Sequence, residues 1–201
     1  MSQAASLSAA ETSDEQLMLD YQAGNSSAFE QLYIKHKGAL YRYFVRQLSD
    51  KQLAEDLYQD TWGKVIKAAA SYQATAKFTT WLYKIAHNLV IDHVRAVRPL
   101  DLTQAPTSDE LADHMDSIAD SEANSPEQQV TASAQQQDMQ ACIAKLPATQ
   151  KEAFLLNVEL GLTAASISEI AGVTLEATKS RIRYAYQSIK NCISLRWQET
   201  G

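Results

Sequence analysis

The sequence is short of the residues that interrupt helices. It has 6 glycines and 4 prolines among 201 residues, whereas alanine, leucine, glutamine, glutamate and lysine are abundant. Because these abundant residues favour helix, and strand-and-turn architectures need many turn residues, the composition predicts an all-α fold. With 45% hydrophobic residues, a chain of this length suffices for one ordinary domain or two small helical ones.

Cysteine and long apolar runs are also scarce. The two cysteines, Cys142 and Cys192, have neither a Cys-x-x-Cys partner nor a nearby pair of histidines, which argues against a zinc site and against a disulfide framework. No stretch is long enough to span a membrane, and the N-terminus has neither the basic start nor the apolar run of a secretory signal. We therefore expect a protein of the reducing cytoplasm, with no membrane insertion, no bound metal and no cofactor.

Basic residues are outnumbered in the whole chain, whose formal net charge is -6, but they are unevenly placed. Residues 1–26 have four acids and no Lys or Arg, and residues 99–138 have nine acids and none. By contrast, residues 27–98 have 11 basic residues against 6 acids, and residues 139–201 have 7 against 5. The pattern indicates two net basic bodies separated by an acidic segment.

The acidic segment has the composition of a linker. It mixes Pro, Ser, Asp, Ala and Gln with few large apolar residues, so it cannot bury enough surface to fold by itself. We predict two small helical domains joined by a flexible acidic linker. The predicted boundaries are a disordered leader at 1–12, an N-terminal helical bundle at 13–98, the linker at 99–138 and a C-terminal domain at 139–198.

Capping signals and helical periodicity locate the helices of the first block. Ser13 with Gln16, and Ser27 with Glu30, fit the S/T-x-x-E/Q capping box. The helix LAEDLYQDTWGKVIKAA places one apolar stripe toward a core. Its other face presents an acidic and amide patch, for which a solvated helix surface is the alternative interpretation; the patch comprises Glu55, Asp56, Gln59 and Asp60.

Aromatic and basic residues interleave in the segment YQATAKFTTWLYKIAHNLVIDHVRAVR. Such interleaving suits unpaired nucleotides, because rings stack on bases while Lys and Arg follow phosphates. Trp81 also falls on an apolar helical stripe, which favours a place in the core. His87 and His93 have no carboxylate or third ligand at a useful spacing, so the residues alone indicate polar surface positions.

The C-terminal block predicts a helix-turn-helix. LTAASISEIA forms a short helix, Gly172 is placed to turn, and Thr174 is a natural N-cap for a longer helix. Thr149 with Glu152 matches a further capping box. In the long helix, one stripe of side chains is apolar and another is basic. The basic stripe suits a helix that enters the major groove of DNA with its N-terminal end leading. The alternative interpretation is a basic face that is simply exposed to solvent.

Four stretches in order and register resemble the extracytoplasmic-function group of bacterial RNA polymerase sigma factors. They are AFEQLYIKHKGALYRYFVRQL, LAEDLYQDTWGKVI, FTTWLYKIAHNLVIDHVR and LPATQKEAFLLNVELGLTAASISEIAGVTLEATKSRI. The resemblance implies an alternative sigma factor that binds core RNA polymerase and directs promoter recognition, DNA melting and transcription initiation. It also implies a possible anti-sigma partner. The linker acids would then lie along a polymerase channel meant for RNA, a hypothesis that rests on their charge.

The resemblance also implies roles for individual residues. The patch of Glu55, Asp56, Gln59 and Asp60 would bind core polymerase. The melted single strand of the minus-10 element would be bound by Lys77, Phe78, Trp81, Lys84, His87 and Asn88. The minus-35 duplex would be read by Thr178, Lys179, Ser180, Arg181, Arg183 and Tyr184. Tyr184 and Tyr186 stand where the family tends to have arginines, so the base contacts are expected to centre on Lys179, Ser180 and Arg181.

Three other classes of function compete with this interpretation. One is a mainly protein-binding module, because the resemblance implies a group of proteins commonly held inactive by an anti-sigma partner. A stand-alone helix-turn-helix regulator would bind duplex DNA without joining polymerase. An enzyme acting on nucleic acid would need a metal cluster, a nucleophile or a phosphate loop, and the sequence has no H-E-x-x-H motif and no Gly-rich phosphate loop. We therefore expect no catalytic residues.

Overall fold

The computed structural model describes residues 12–97 and 134–198, and every regular element in these ranges is helical. This confirms the all-α prediction for the described chain. The helices are α1 (Asp14–Gln22), α2 (Ser26–Gln47), α3 (Lys51–Ala68), a 3-10 turn (Ala69–Ser71), α4 (Phe78–Val97), α5 (Ala134–Ala144), α6 (Ala148–Val158), α7 (Ala164–Ala171) and α8 (Leu175–Gln198). Within the described ranges, no helix is long and apolar enough to cross a membrane.

The N-terminal bundle, α1–α4, is built around α2. This helix packs against α1 on one side and α3 on the other, and α3 packs against α4. The predicted apolar stripe of α3 is confirmed, because Leu57, Thr61 and Val65 are buried. The largest fully buried side chains of the bundle are Met18, Leu32, Leu40, Phe44, Phe78, Leu82 and Tyr83.

The C-terminal helices, α5–α8, contain the predicted helix-turn-helix. Helix α7 ends at Gly172, whose φ of 66° lies in the left-handed region that glycine adopts without strain. Thr174 then caps α8, accepting a hydrogen bond at Oγ1 from the backbone N–H of Ala177 at 3.2 Å. Both the turn and the cap follow the prediction.

Two of the three predicted capping boxes are wrong. The cap of α2 is Asn25, whose Oδ1 accepts a hydrogen bond from the N–H of Ser27 at 3.1 Å. The helix therefore begins earlier than the predicted capping box of Ser27 and Glu30 implies. Pro147 precedes α6 without a side-chain cap, and Glu152 bonds elsewhere. The Ser13 cap is confirmed, since its Oγ accepts from the N–H of Gln16 at 3.2 Å.

The N-terminal bundle and the C-terminal helices pack against each other. Helix α4 contacts α7, and α2 contacts α6. The hydrophobic core of the bundle continues into Ala153, Leu156, Leu162, Ile167 and Ile170 of the C-terminal helices. Helix α5 begins at Ala134, inside the segment predicted as linker; the rest of that segment and the predicted leader through residue 11 lie outside the described residues.

Candidate nucleic-acid and polymerase interfaces

The residues predicted to bind the minus-10 strand lie on helix α4, except Lys77, which directly precedes it, and they differ in exposure. Lys77, Lys84 and Asn88 are exposed. Trp81 is half-buried, with its ring 5.0 Å from that of Tyr72. Exposed cations and an amide therefore lie on the same segment as one partly accessible aromatic ring, a combination suited to a single strand.

Phe78 and His87 lie on the buried side of the same helix. Phe78 has no exposed surface, and its ring packs near His36 and Trp81. The expectation from the residues alone that His87 is a surface residue was wrong, because the side chain is only 11% exposed and its Nδ1 lies 2.8 Å from Oε1 of Glu152 in α6. In this arrangement neither residue is accessible to DNA.

A buried polar cluster joins α2, α4 and α6. One oxygen of the Glu152 carboxylate, Oε1, accepts a hydrogen bond from the Tyr43 hydroxyl at 2.6 Å. The same oxygen lies 2.8 Å from Nδ1 of His87. Glu152 has a side-chain exposure of 9%, so its charge is compensated by these partners rather than by water.

The cluster shifts the titration of its members. Burial by itself lowers the pKa of His87, but the charge of Glu152 and its hydrogen bond outweigh burial, so the pKa is raised. Burial also works to raise the pKa of Glu152, but the charge and hydrogen bond of His87 and the Tyr43 hydroxyl lower it. Both directions favour the ion pair of imidazolium and carboxylate.

Helix α8 carries the residues predicted to read the minus-35 duplex. Lys179, Arg183 and Tyr184 are exposed, whereas Ser180 and Arg181 are half-buried. The Arg183 guanidinium lies 5.0 Å from the centre of the Tyr184 ring, within the range of a cation–π contact.

Thr178 is placed differently from these neighbours. It is fully buried, and its hydroxyl donates to the carbonyl of Thr174 at 3.1 Å. Lys179 extends outward, with Nζ 2.9 Å from Glu176 Oε1, and both side chains are largely exposed. Such an exposed pair is weak, so Lys179 can exchange this partner for a phosphate.

The expectation that the two cysteines do not form a disulfide was also wrong. Cys142 of α5 and Cys192 of α8 are bonded, with 5.8 Å between their Cα atoms. Their 50-residue separation gives no sequence signal, because it is the packing of α5 on α8 that brings them together. The Arg196 guanidinium, which donates to Asp138 at 2.7 Å, is a second link between the same helices.

Helix α3 presents the acidic patch predicted to bind polymerase. Asp56, Gln59 and Asp60 are exposed, while Glu55 is half-buried and accepts a hydrogen bond from the Tyr41 hydroxyl at 3.3 Å. The patch stands on a rigid base, because the opposite face of α3 is buried. The four residues therefore share one surface, as their spacing predicts.

Glu152 is the site residue that the sequence pattern did not identify. It was assigned to a capping box, although it directly precedes the largely apolar run AFLLNV and follows a lysine. A charged residue in a buried helix needs a partner. The partners are 65 and 109 residues earlier in the chain, so spacing could not have located them.

Comparison with known proteins agrees with the geometry. Residues 32–99 match the family model for Sigma-70 region 2, and residues 136–189 match that for Sigma-70, region 4. The chain is 31% identical over 174 residues to the ECF RNA polymerase sigma factor SigC of Mycobacterium tuberculosis, covering 86% of this chain and 87% of the relative. It is 29% identical over 170 residues to the ECF RNA polymerase sigma factor SigW of Bacillus subtilis, covering 83% of this chain and 89% of the relative.

A solved structure has the same fold. The sigma factor RpoE of Bartonella quintana, crystallised with the anti-sigma factor NepR, superposes with a TM-score of 0.64 at 22% identity. The match covers 83% of this chain and 96% of that one. The two family models match this chain in order, one relative is more than 30% identical to it, and a solved sigma factor has the same fold. These findings lead to one family assignment. The chain belongs to the extracytoplasmic-function group of RNA polymerase sigma factors.

Proposed function

We propose that this sigma factor binds core RNA polymerase through the acidic patch on α3 and contacts promoter DNA through the exposed faces of α4 and α8. It thereby directs promoter recognition, DNA melting and initiation at a dedicated set of genes. The observation that carries the proposal is the presence of three polar surfaces of distinct character, each on a helix whose other face is buried. Rigid helices hold such contact residues in register.

The minus-10 contacts proposed first are those already exposed. Lys77 and Lys84 would follow the phosphates, Asn88 would meet base edges, and the accessible part of Trp81 would stack. Phe78 and His87 are proposed contacts that require movement. Phe78 would have to leave the bundle core, and His87 would have to lose Glu152.

The minus-35 contacts proposed are the exposed and half-buried residues near the start of α8. Arg181 and Ser180 would enter the major groove with Lys179, while Arg183 and Tyr184 would lie against the backbone. Thr178, which is fully buried, would act by holding the first turn of α8 rather than by touching DNA directly.

The proposed setting and partners follow from this role. A chain that joins RNA polymerase would act in the cytoplasm and would itself carry out no catalytic step. An anti-sigma factor is a further proposed partner, supported by the relative crystallised with one. The division into domains at 13–98 and 139–198, with an acidic linker between them, also remains a proposal.

Run-off transcription tests the proposed function. Purified core polymerase should give new start sites on a library of promoter fragments only when this protein is added. Reversing Asp56 and Asp60 to Lys should abolish them, because the patch would then repel its partner. Glu30→Lys, which reverses an exposed acid of α2, is the control and should retain activity.

Two results would contradict the proposal. If the doubly reversed protein supports transcription as well as the Glu30→Lys control, the α3 patch is not the polymerase contact. If folded protein and active core give no new transcripts while the protein binds promoter duplex alone, the stand-alone regulator replaces the sigma factor.

A further inference from the structure

The chain between the 3-10 turn and α4 is exposed and lies between two buried aromatic residues. Residues 73–77, called the α3–α4 connection, are all exposed and have no regular secondary structure. Tyr72, which precedes them, is 4% exposed, and Phe78, which follows them, has no exposed surface. Because ordering a free segment costs conformational entropy, the geometry of the connection depends on how its two ends are held.

Glu15 of α1 holds the end of the connection at which α4 begins. Its Oε1 accepts a hydrogen bond from the backbone N–H of Phe78 at 2.6 Å. The first N–H groups of a helix need an acceptor from outside it. Lys77 directly precedes α4, but its ammonium group has no acceptor and cannot cap the helix. Glu15 therefore caps α4 from 63 residues earlier in the chain, and its negative charge is favoured at a helix N-terminus.

Gln22 of α1 holds the other end of the connection. Its Nε2 donates to three backbone carbonyls, those of Ala69 at 2.9 Å, Ala70 at 3.0 Å and Tyr72 at 3.2 Å. The last carbonyls of a helix have no partner within it, and Gln22 bonds those of the 3-10 turn. It thereby fixes the backbone from which the connection leaves.

Both side chains project from one face of α1. Glu15 and Gln22 are about two helical turns apart, and Met18 lies on the same face between them. Met18 is fully buried, and the carboxylate of Asp14 binds two side chains of α2, so α1 is itself anchored in the bundle. A single anchored helix therefore holds both ends of the connection.

The two ends held by α1 also support the ring of Trp81. This ring lies 5.0 Å from that of Tyr72 and 5.8 Å from that of Phe78. Lys77 belongs to the connection itself. Contact residues bind best when their surroundings already hold them in the bound geometry. Two of the proposed minus-10 contacts therefore depend for their position on backbone that α1 fixes.

We propose that Glu15 and Gln22 are positioning residues, which hold the α3–α4 connection and the Trp81 ring in the geometry that receives the melted minus-10 strand. Each acts through the backbone that it binds rather than by touching DNA. The part played in strand capture rests on the proposed function, whereas the fixing of the connection does not. A connection released at either end would have to be ordered by the strand itself, at a cost in affinity.

Amide hydrogen exchange of the full-length protein, without polymerase or DNA, tests the positioning. Glu15→Ala should speed exchange at the N–H of Phe78 and in the connection by about tenfold, because a hydrogen bond to a charged group is lost. Glu15→Gln keeps an acceptor oxygen and should recover most of the protection. Gln22→Ala should speed exchange in the connection by about threefold, because its bonds join neutral groups.

A second glutamine of α1 provides the matched control. Gln16 is exposed, and its Nε2 donates to Asp20 of the same helix at 2.8 Å. Gln16→Ala therefore makes the same substitution without touching the connection. It should leave hydrogen exchange and strand binding as in the wild type, and circular dichroism should show equal helix content in all four variants.

Strand binding by the holoenzyme, reconstituted from core polymerase and the full-length protein, tests the functional part. The probes are the single non-template strand of the minus-10 region and the minus-35 duplex, both from a promoter found by run-off transcription. Glu15→Ala should weaken single-strand binding about tenfold and Gln22→Ala about threefold. Glu15→Gln should restore most of the affinity, and duplex binding should be unchanged throughout. Removing an acid would by charge alone strengthen DNA binding, so weaker binding by Glu15→Ala is not a charge effect.

Three results would overturn the proposal. The first is hydrogen exchange in Glu15→Ala and Gln22→Ala that matches the wild type. The second is faster exchange in these variants with single-strand binding as tight as in the wild type, because the connection would then be fixed without serving the strand. The third is equal weakening by Gln16→Ala. A wild-type holoenzyme that binds neither probe would instead contradict the proposed function, and the strand-capture part with it, before any variant is compared.

Discussion

Glu152 has almost no contact with water, and its bonded partners come from two helices of the other half of the protein. Lys84 of α4 and Arg181 of α8 act on the pair by their charges, and the neutral hydroxyl of Tyr43 acts on Glu152 by its hydrogen bond. Because burial and the two cations oppose protonation of His87 while the carboxylate favours it, the charge on Glu152 determines the direction of the pKa shift.

This pair predicts a pH dependence of stability. The raised pKa of His87 means that its contribution is fully present below its ordinary value of about 6.5 and is lost as pH rises through the folded-state value. The lowered pKa of Glu152 means that its contribution is present above about 4.5 and is lost as pH falls through its folded-state value. The pair therefore contributes most between these limits.

Urea unfolding of the wild type and Glu152→Gln across this range measures the effect. The difference in free energy of unfolding should be largest near pH 5 to 6 and should shrink as pH rises past the folded-state pKa of His87. Taking the difference removes the contributions of all groups that the substitution leaves unchanged in both proteins. A difference that grows with pH would show that His87 is neutral in the folded protein.

At the scale of elements, the turn between α7 and α8 sets the orientation of the proposed reading helix. Gly172 has a φ of 66°, and nothing lies within 4 Å of the position that a Cβ would occupy there. A larger side chain would therefore fit in the space at position 172, and it is the left-handed backbone conformation that requires glycine there. Gly172→Ala should cost about 1 kcal/mol of stability, because alanine is strained in the left-handed region.

Thermal unfolding compares this variant with Gly63→Ala. Gly63 is within α3 and also has no atom within 4 Å of its Cβ position, but it has ordinary helical geometry. That substitution should be neutral or stabilising, since alanine favours helix. Equal destabilisation by the two substitutions would contradict the backbone argument.

The disulfide is the second element-scale feature, because it ties α8 to α5. The loop closed by Cys142 and Cys192 spans 50 residues, for which the chain-entropy model gives a stabilisation of about 4 kcal/mol, and measured values more often fall near 2 to 4 kcal/mol. Reduction should lower the free energy of unfolding by this order.

Denaturant unfolding with and without dithiothreitol checks the disulfide contribution. A variant with both cysteines replaced by alanine should be as unstable as the reduced wild type and should not respond to the reductant. If dithiothreitol destabilises both proteins equally, the effect does not come from this bond.

At the scale of the whole molecule, the sequence predicted what depends on local pattern. The helix-turn-helix follows from Gly172 and Thr174, and the α3 patch follows from its spacing; both depend on neighbours within a few turns. The packing of the two halves, the partners of Glu152 and the cysteine pairing depend on contacts between distant segments. Periodicity identifies which face is buried but not what covers it, which is why His87 was misplaced.

The charge distribution of the folded protein predicts how duplex binding responds to salt. Five cations on α8 are available by sequence for phosphate contacts: Lys179, Arg181, Arg183, Lys190 and Arg196. Arg196 is half-buried and donates to Asp138, so we expect it to make no phosphate contact. Four phosphate contacts give a log-log slope of affinity against salt near -3.6, where five would give about -4.5.

Two arginine variants separate these alternatives. Arg183→Ala removes an exposed cation and should make the slope shallower by about 0.9. Arg196→Ala should leave the slope unchanged, because its charge is already matched by Asp138. Fluorescence anisotropy on a duplex from a promoter found by run-off transcription measures both slopes. An equal change in the two variants would mean that Arg196 leaves Asp138 for a phosphate.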